Sequence, residues 1–345
     1  MGRKNKYFKK NLKEQAYDRL VSMQCFGESK RAAKEAGETD NKIFSFSTYK
    51  SYRKHIKYFL NWLKEVHPEC TTLSEARKYS KEWLELRSNQ TDKEGKQLSA
   101  WTIQLESAAL NKLFGIKSED DDFFHAPKRK REDIKRSRVS VSRDKHFSLT
   151  NNDELIKFAR GTGLRRAGLC SIKGKDLFTR EKITKEIQRL IFISEDKLSD
   201  ADRQWLAVLK DTSHFPEQQY FIRVTEKGGR MRLAPVIGPD TEAIVQRFQR
   251  TAPSGKVWEH VHSAADIHSY RADYAQTVYK QFARPIEDIP FDKVSKNGKH
   301  YQSEVYVCRK DEAGRKLDRV AMLKASKALG HNRIDVVANN YLRGL

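Results

Sequence analysis

The clearest strand signal in the chain lies at residues 219–236, which read QYFIRVTEKGGRMRLAPV. Apolar residues alternate along the two arms, at Tyr220, Ile222 and Val224 and then at Met231 and Leu233. The two glycines between the arms, Gly228 and Gly229, can adopt the positive φ angles of a tight turn. The pattern predicts a β-hairpin, and the helical spacing on both sides predicts that the rest of the chain is mainly α.

The composition points to a polyanionic partner. Among 345 residues, 68 are Lys or Arg and 46 are Asp or Glu, so the formal charge is 68 − 46 = +22. Nucleic acid is the favoured ligand for such a surplus, and an anionic membrane surface is the weaker alternative. No apolar run reaches the roughly 18 residues of a membrane span. The four cysteines form no Cys-x-x-Cys pair, which argues against a zinc finger or a disulfide framework and favours a reducing, cytoplasmic location.

The length predicts about two domains, and the first part of the chain has helical spacing throughout. Residues 1–42 are basic with sparse apolar positions, so we expect an N-terminal arm with a short helix, either in contact with DNA or solvated. Residues 43–124 form the predicted helical domain. Its first helix begins near Ser45, with Ser47 or Thr48 as the candidate cap. A second helix spans 73–87, and a third begins near Ser99.

The first of these helices is predicted to have one apolar and one basic face. Apolar residues recur at spacings of three and four, at Tyr52, Ile56, Phe59 and Leu63. The opposite face carries Lys50, Arg53, Lys54 and Lys57. This face suits the phosphates of a DNA backbone, and a merely solvated basic face is an equally good explanation.

A strongly basic segment, residues 125–146, follows the helical domain. It holds nine basic and three acidic residues, a net charge of 9 − 3 = +6, and has no clear period. We expect an exposed linker that follows the DNA backbone, so that the domains on either side form a clamp. Its candidate DNA-binding residues are Lys128, Arg129, Lys130, Arg131, Arg136 and Arg138. A localisation signal or a plain linker is the alternative.

Residues 147–345 form the second predicted domain, in which the hairpin lies among helices. Helices are predicted over 151–160, 164–172, 240–250, 264–282, 318–329 and 333–341, and a further strand over 189–194. The polar segment 284–317 has the character of an insertion, either a further contact to DNA or a neighbouring subunit or a simple loop. A second hairpin is predicted within it, around Gly314.

Six residues of this domain could act on a phosphodiester: Arg165, Lys227, His268, Arg271, His331 and Tyr341. Arg165 follows a Gly-Thr-Gly turn at a predicted helix start, where free N–H groups favour an anion. His268 and Arg271 share a helix face at a spacing of three. Each residue also has an ordinary explanation when taken alone, such as an exposed turn lysine, a structural histidine or, at position 341, a core aromatic.

In their order, the Thr-Gly-Leu-Arg, Lys, His-x-x-Arg, Leu-Gly-His and Tyr signatures resemble the tyrosine recombinase (phage integrase) family. The resemblance covers the second domain and, more loosely, the helical domain with its basic linker. It implies a two-domain DNA clamp, mainly α with a small antiparallel β-sheet, made of a core-binding domain and a catalytic domain. It further implies site-specific recombination for a mobile element, by a homotetramer on two duplexes, without a cofactor and at the bacterial nucleoid or its equivalent.

The resemblance also implies a role for each residue. Arg165 and Arg271 would hold the scissile phosphate, and His331 would donate to a non-bridging oxygen. Tyr341 would attack phosphorus to give a 3′-phosphotyrosine, with His268 as a base and Lys227 as the acid for the leaving 5′-oxygen. The chemistry is consistent, because fixed cations favour a phenolate and the developing charge, and covalent capture conserves the bond energy.

Metal-dependent cleavage does not fit this set of residues. No carboxylates accompany the six candidates, so a metal-bound phosphate is not expected. The trio His260, His262 and His268 could be considered as zinc ligands, but it lacks an acidic partner and His268 has the better role described above.

Two departures from the family pattern bear on the prediction. An acidic residue usually stands three positions after the first arginine, and here the position holds Gly168. The neighbouring Arg166 could substitute in part, at an angle of about 100° on a helix. The chain shown also ends four residues after Tyr341, where many relatives carry a further helix that docks on a neighbouring subunit.

Three other functions stay open at this point. A type IB topoisomerase uses much the same chemistry but relaxes a single duplex as a monomer. A DNA-binding regulatory protein with a decayed site would bind without cleaving, and Gly168 favours it. A basic RNA-binding protein would need exposed aromatics for stacking, whereas the aromatics here fall mostly on predicted core faces.

Overall fold

The computed structural model describes residues 10–91, 95–130, 147–226, 229–289, 303–309, 312–331, 333–343 and 345. It is mainly helical with small antiparallel sheets, which confirms the predicted fold class at this level. The chain divides into two compact units, Met1–Asp133 and Ile134–Leu345. Within these described ranges, no helix combines the length and the apolar character needed to cross a bilayer.

The described part of the first unit is built from helices. They are α1 (Leu12–Ser22), α2 (Lys30–Glu35), α3 (Phe46–Val66), α4 (Leu73–Arg77), α5 (Ser80–Asn89) and α6 (Ala100–Phe114). The predicted starts of α3 and α6 are confirmed in position, and the Ser45 and Ser99 side chains accept backbone N–H groups at these two N-termini. The candidate caps Ser47 and Thr48 are wrong, because both residues lie inside α3 and the Ser45 hydroxyl accepts the Thr48 N–H. Gly115 ends α6 with a φ of 69°.

The arm predicted over residues 1–42 is in part a structural element. A capping box between Asn11 and Glu14 begins α1, and Ala16 and Leu20 on its inner face are fully buried. They belong to the same hydrophobic cluster as Phe59 of α3. The described residues of this segment therefore fold with the helical unit instead of extending from it.

The helix predicted over 73–87 is interrupted, and α4 and α5 take its place. The Ser80 hydroxyl donates to the Arg77 carbonyl at 2.8 Å, and the Lys78 N–H donates to the Glu75 carbonyl three residues back. These short-range bonds replace the regular i to i−4 ladder between the two helices. Ala76 and Leu84 still reach the common core, so the apolar period was a correct sign of burial but not of one straight helix.

The described part of the second unit contains a three-stranded sheet, a two-stranded sheet and helices. Its strands are β1 (Leu177–Thr179), β2 (Tyr220–Thr225), β3 (Met231–Pro235), β4 (Val305–Val307) and β5 (Lys316–Asp318). Its α-helices are α7 (Asp153–Thr162), α8 (Arg166–Leu169), α9 (Arg180–Ile191), α10 (Asp200–Lys210), α11 (Thr241–Gln249), α12 (Ile267–Phe282), α13 (Arg319–Ala328) and α14 (Ile334–Asn340).

The hairpin at 219–236 is confirmed as β2 and β3, with Ile222 opposite Ala234. β1 adds a third antiparallel strand beside β2. The alternation along β2 divides its side chains between two hydrophobic clusters, with Phe221 in one and Ile222 and Val224 in the other. The sheet therefore lies between two cores, which explains why both of its faces carry buried residues.

The second predicted hairpin is also confirmed, since β4 pairs with β5 and Val305 lies opposite Asp318. It falls within the segment 284–317 that was predicted as an insertion. The buried Cys308 and Leu317 join the cluster that contains Phe221, so the described part of this segment packs into the core of the unit. Residues 290–302 and 310–311 of the same segment lie outside the described residues.

Two local predictions in the second unit are wrong. The strand predicted over 189–194 is instead the end of α9, because Ile183, Ile187 and Leu190 continue a helical period that begins at the Thr179 cap. A short apolar run cannot by itself distinguish the two structures. The helix predicted over 164–172 shrinks to the four residues of α8, so the expected contribution of its N-terminus to anion binding is lost.

The packing of α12 positions the candidate site. α12 contacts both α7 and α13, and the Tyr274 hydroxyl on α12 donates to the Pro235 carbonyl of β3 at 2.7 Å. Gly163 ends α7 with a φ of 57°, and a Cβ atom there would clash with the Tyr274 ring. The absence of a side chain at position 163 therefore lets the end of α7 approach α12 closely.

Candidate active site

Arg165 contacts a carboxylate that comes from the hairpin. It occupies the N-cap position of α8, and its Nη1 donates to Glu226 Oε2. Glu226 directly follows β2, and its other oxygen, Oε1, accepts from Arg232 Nε at 3.0 Å. The Arg165 side chain is 31% exposed and that of Glu226 is 9% exposed. Glu226 therefore holds a half-exposed arginine and a buried one together.

Arg232 is almost completely buried, although it carries a charge. Its Nη1 donates to the Ala328 carbonyl at 2.7 Å, and its Nη2 lies 2.9 Å from Glu226 Oε1 without a well-directed hydrogen bond. Gly330 provides room for it, because a Cβ atom at that position would lie 2.6 Å from Arg232 Nε. Gly330 also has a φ of 71°, so two independent requirements select glycine there.

Arg271 is the most deeply buried of the predicted site residues, with 1% of its surface exposed. Its guanidinium donates to the backbone carbonyls of Gly163 and Leu329. Its Nε lies 3.4 Å from the Tyr341 hydroxyl oxygen. Arg271 therefore ties the ends of α7 and α13 together and presents one edge of its charge to the tyrosine.

Tyr341 packs as a core aromatic, and its hydroxyl also reaches the cluster of basic residues. It is the C-cap of α14 and, at 9% exposure, belongs to the hydrophobic cluster together with Val337 and Ala338. Its hydroxyl nevertheless reaches Arg271, and its ring lies 5.7 Å from the ring of His331. The Tyr341 ring therefore packs in the core while its hydroxyl lies beside Arg271.

His331 follows α13 by way of Gly330, as the sequence predicted. Its backbone N–H donates to the Ser326 carbonyl at 2.8 Å, and the Ser326 hydroxyl donates back to the His331 carbonyl at 3.0 Å. These two bonds fix the turn after α13. The imidazole is half-buried, and its Nε2 has no hydrogen-bond partner among the described residues. That nitrogen is a buried polar atom without a described partner.

The cluster carries a surplus of positive charge. Arg165, Arg232 and Arg271 contribute three positive charges and Glu226 one negative charge, a balance of 3 − 1 = +2. Burial raises the pKa of Glu226, but the charges of Arg232 and Arg165 outweigh it and hold that pKa below its ordinary value. Burial and the charge of Arg232 lower the pKa of Arg271 to about 10, so the guanidinium is still charged at neutral pH.

The same positive charges act on His331. Burial first, and then the charges of Arg271 and Arg165, lower the pKa of His331 to about 4. The imidazole is therefore neutral at pH 7 and has one N–H to donate and one nitrogen to accept. This result refines the expected role: His331 can donate a hydrogen bond to a phosphate oxygen but does not add a further positive charge.

A cavity of about 450 Å³ lies beside this cluster. Gly330, His331 and Arg232 form one part of its lining, and Phe215 and Leu233 contribute apolar walls. His331 Nε2 and Arg232 Nη2, both without well-directed partners among the described residues, belong to lining residues of this cavity. The cavity therefore borders the cluster at Arg232 and His331.

Four of the six predicted catalytic residues thus converge: Arg165, Arg271, His331 and Tyr341. His268 lies on α12 one turn before Arg271, and its side chain is exposed. Lys227 lies outside the described residues, directly after Glu226 in the chain. Arg166, considered as a substitute for the absent acid, instead donates to the carbonyls of Val261, His262, Ser263 and Ala265 and fixes that loop.

The predicted DNA-binding residues fall into two groups. The described ones are all exposed to solvent: Lys50, Arg53, Lys54 and Lys57 on α3, and Lys128, Arg129 and Lys130 after α6. Arg53 stacks over the Tyr17 ring at 4.4 Å, and Arg129 lies 5.7 Å from the ring of Trp101. Arg131, Arg136 and Arg138 lie outside the described residues. The solvent-facing position of the basic face of α3 is confirmed, and its role in binding stays a prediction.

Sequence reasoning missed two members of the cluster, Glu226 and Arg232. A signal for Arg232 was present, because a charged residue between Met231 and Leu233 must point to the face opposite theirs. Glu226 stands at the end of β2 beside the predicted Lys227, where an acid in a basic turn has no other obvious partner. Neither signal identifies Arg165, which lies 61 residues earlier in the chain.

The described residues contain no group of three or more His, Cys, Asp or Glu side chains that could hold a metal ion. His260 and His262 lie with ring centroids 6.3 Å apart. No protein-family model matches the chain, and a search of curated proteins likewise gives no match. A function for this protein can therefore be inferred only from the geometry of the cluster and from the residues that form it.

Proposed function

We propose that this protein is a DNA strand transferase that uses Tyr341 as its nucleophile, and that it acts as a site-specific recombinase. One observation carries the proposal: a tyrosine hydroxyl lies 3.4 Å from Arg271 within a cluster of three arginines that has only one described carboxylate. The four predicted catalytic residues that the structure describes in this cluster come from sequence positions 165 to 341.

The charge surplus supports an anionic ligand. Burying an arginine without a compensating charge costs free energy, and the depressed pKa of Arg271 is a sign of that cost. A phosphodiester brings one negative charge into the cluster, and its transition state for transfer brings more. Such a ligand fits the balance of +2 better than a neutral one does.

The chemical step is the one that the family resemblance implies, and the positions of the described side chains are compatible with it. The Tyr341 oxygen attacks phosphorus, the new O–P bond forms as the bond from phosphorus to the 5′-oxygen breaks, and the DNA 3′ end becomes attached to tyrosine. His268 is the expected acceptor of the phenol proton, and Lys227 is the expected donor of the proton that the leaving 5′-oxygen takes up. Arg165 and Arg271 neutralise the non-bridging oxygens, and neutral His331 donates to one of them.

The rest of the chain supports duplex DNA as the substrate. The charge of +22 and the exposed basic face of α3 suit a phosphate backbone. We propose that recombination takes place in a homotetramer on two duplexes, in the cytoplasm at the bacterial nucleoid or its equivalent. Relaxation of supercoiled plasmid by a monomer, without sequence preference, would favour a type IB topoisomerase instead.

A second candidate function is DNA binding without cleavage. The observation that favours it is burial, because Arg271 is 1% exposed and Tyr341 is 9% exposed. In this case the arginines would fix the ends of α7 and α13, and DNA would bind elsewhere on the protein. The difference between the two functions is whether a covalent bond forms between Tyr341 and DNA.

The test uses a pool of short duplexes of randomised sequence, each nicked so that the fragment carrying the 5′-hydroxyl is lost after cleavage. Wild-type protein is expected to form a covalent adduct that survives denaturation, and Tyr341→Phe is expected to form none. Tyr279→Phe is the control, since Tyr279 also loses one hydroxyl in the same core, where it accepts the Asp318 N–H at 3.0 Å.

An adduct in wild type and Tyr279→Phe that is absent in Tyr341→Phe supports the strand transferase. Equal adduct in all three proteins would show that the nucleophile is another residue. Tight, salt-sensitive binding of the pool with no adduct from wild type would overturn the proposal in favour of the binding protein.

A further inference from the structure

Glu226 occupies a special place in the cluster because it is the acidic side chain that contacts both Arg165 and Arg232. From its position we infer that Glu226 is the positioning residue that orients Arg165 toward the reacting phosphate. The inference rests on the proposed function and assigns a task to a residue that does not itself touch the substrate.

Arg165 needs such a partner. It stands outside the short helix α8 as its N-cap, and its side chain is 31% exposed. A long side chain at such a position has many rotamers, and fixing it in one of them costs conformational entropy. The bond to Glu226 Oε2 selects a rotamer before any ligand arrives, which lowers the cost of placing the guanidinium against a phosphate.

Glu226 can orient Arg165 because it is itself held rigidly. Its Oε1 accepts from Arg232, which is buried and donates in turn to the Ala328 carbonyl at the end of α13. The chain of contacts therefore runs from the α13 backbone through Arg232 and Glu226 to Arg165. His331 follows the same end of α13, so the orientation of Arg165 is coupled to the element that carries His331.

The ionised form of Glu226 is needed for this role. Two arginines donate to the two oxygens of its carboxylate, and their charges hold its pKa below the ordinary value in spite of burial. A neutral amide of the same shape would keep the size but turn one acceptor into a donor that faces an arginine. The Glu226→Gln variant therefore removes the orientation of Arg165 with the smallest change in packing.

An acid at the alternative position within α8 would be tightly packed and in apolar surroundings. A Cβ atom added to Gly168 would already lie 3.0 Å from Val224 Cγ2. A carboxylate at 168 would enter the apolar cluster that contains Leu164, Leu169 and Val224. Glu226, at the end of β2, therefore provides the carboxylate for Arg165 that position 168 is poorly placed to provide.

The effect of Glu226→Gln on DNA affinity and its effect on the cleavage rate can be measured separately. The lost charge acts on the affinity, and the lost orientation of Arg165 acts on the rate. Loss of a negative charge beside a phosphate site should leave DNA affinity unchanged or make it tighter. Loss of the orientation of Arg165 should slow cleavage once DNA is bound. We therefore expect Glu226→Gln to lower the rate of adduct formation at saturating DNA by roughly 10–100-fold while the DNA affinity does not fall.

The matched control is Asp176→Asn. Asp176 pairs with Arg223 at 2.6 Å, and the exposed fractions of this pair, 33% for the arginine and 13% for the acid, resemble those of Arg165 and Glu226. It lies in the same unit and its pair is not part of the cluster. Asp176→Asn should therefore leave the rate of adduct formation within about twofold of wild type, because its partner Arg223 is not a member of the site.

The experiment measures the adduct rate, the DNA affinity and the melting curve for wild type, Glu226→Gln, Glu226→Asp and Asp176→Asn. Glu226→Asp keeps the charge and should recover part of the rate, which a folding defect would not predict. The inference is overturned if Glu226→Gln reacts at the wild-type rate, or if its rate and affinity fall together with its melting temperature while Glu226→Asp recovers nothing. Absence of any adduct in wild type would instead count against the proposed function.

Discussion

Among the described residues, each unit places a glutamate of low exposure among basic side chains, and the two sites differ in their charge balance. In the helical unit, Glu106 is 1% exposed and accepts from Arg87 at 2.9 and 3.1 Å and from His55 at 3.2 Å. In the second unit, Glu226 faces Arg165 and Arg232, with Arg271 close enough for its charge to lower the pKa of Glu226 further.

The comparison distinguishes Glu106, whose charge is balanced inside the fold, from Glu226, whose surroundings keep a positive surplus. Arg87 compensates Glu106 fully, so that site needs no ligand and serves to join α5, α6 and α3. The Glu226 cluster has a balance of +2 and borders a cavity and a tyrosine hydroxyl. Proteins bury uncompensated charge at a cost in stability, so a surplus of this kind indicates a binding site.

The largest effect on stability is expected at Glu106, where the buried charges balance. Glu106→Gln leaves Arg87 and His55 without their carboxylate, and both side chains are at most 16% exposed. Removing one partner of a buried ion pair costs about 3–5 kcal/mol in the free energy of unfolding. Chemical denaturation should show this loss. A variant as stable as wild type would mean that Glu106 is not a structural charge.

At the Glu226 cluster, where positive charge is in surplus, a substitution is expected to affect the cleavage rate more than the stability. Arg271→Met keeps much of the side-chain volume and removes a charge that Arg232 and Arg165 disfavour, but it leaves the Gly163 and Leu329 carbonyls without their donor. The free energy of unfolding should therefore fall by about 1–3 kcal/mol, which is less than at Glu106. The rate of adduct formation should fall roughly 10²–10³-fold, because a donor to the developing charge is removed. DNA affinity should change little. A severe loss of stability with normal cleavage would contradict the comparison.

Most of the fold follows from local signals in the sequence. The starts of α3 and α6 follow from the onset of the apolar period near Ser45 and Ser99, although the cap of α3 is Ser45 and not Ser47 or Thr48. The 219–236 hairpin follows from alternation around a glycine turn. The predictions that failed, such as the strand over 189–194, concern short apolar runs for which two periods fit equally well. There the choice is made by contacts with distant residues, which a single sequence does not contain.

The residues of the candidate site also fall into those with a local sequence signal and those defined by distant contacts. Arg271, His331 and Tyr341 could be proposed because each has a local context and because their order resembles a known family. Glu226 and Arg232 could not, because their significance is the contact with Arg165 and with the end of α13. The burial of Arg271 was also unexpected, since its two backbone acceptors, at Gly163 and Leu329, come from two other helix ends.

A smaller effect is expected from pH. The pKa of His331 is depressed to about 4 in the folded protein, so the unfolded chain binds its proton first as the pH falls from about 6.5. The unfolding free energy should fall between pH 6.5 and 4, by at most about 1.4 kcal/mol per pH unit from this group. His331→Gln should lose less stability over the same range. Parallel pH curves for the two proteins would contradict the assigned pKa.

The smallest effect is expected from single residues of the basic face on α3. Replacement of Lys54 or Lys57 by Ala should reduce the slope of log affinity against log salt by about 0.9 for each phosphate that the side chain neutralised. Lys185→Ala is a suitable control, because Glu181 lies 2.6 Å away and already compensates that charge. Equal slopes for all the variants would contradict the proposed contact of α3 with DNA.

The central claim is that Tyr341 is the residue of this cluster that reacts with DNA. The most direct measurement is mass spectrometry of the trypsin-digested covalent complex formed with the nicked duplex pool. We predict that residues 334–343, the fragment between Arg333 and Arg343, carry a 3′-linked nucleotide on Tyr341. A nucleotide attached to any other fragment, or a linkage through a DNA 5′ end, would contradict the claim.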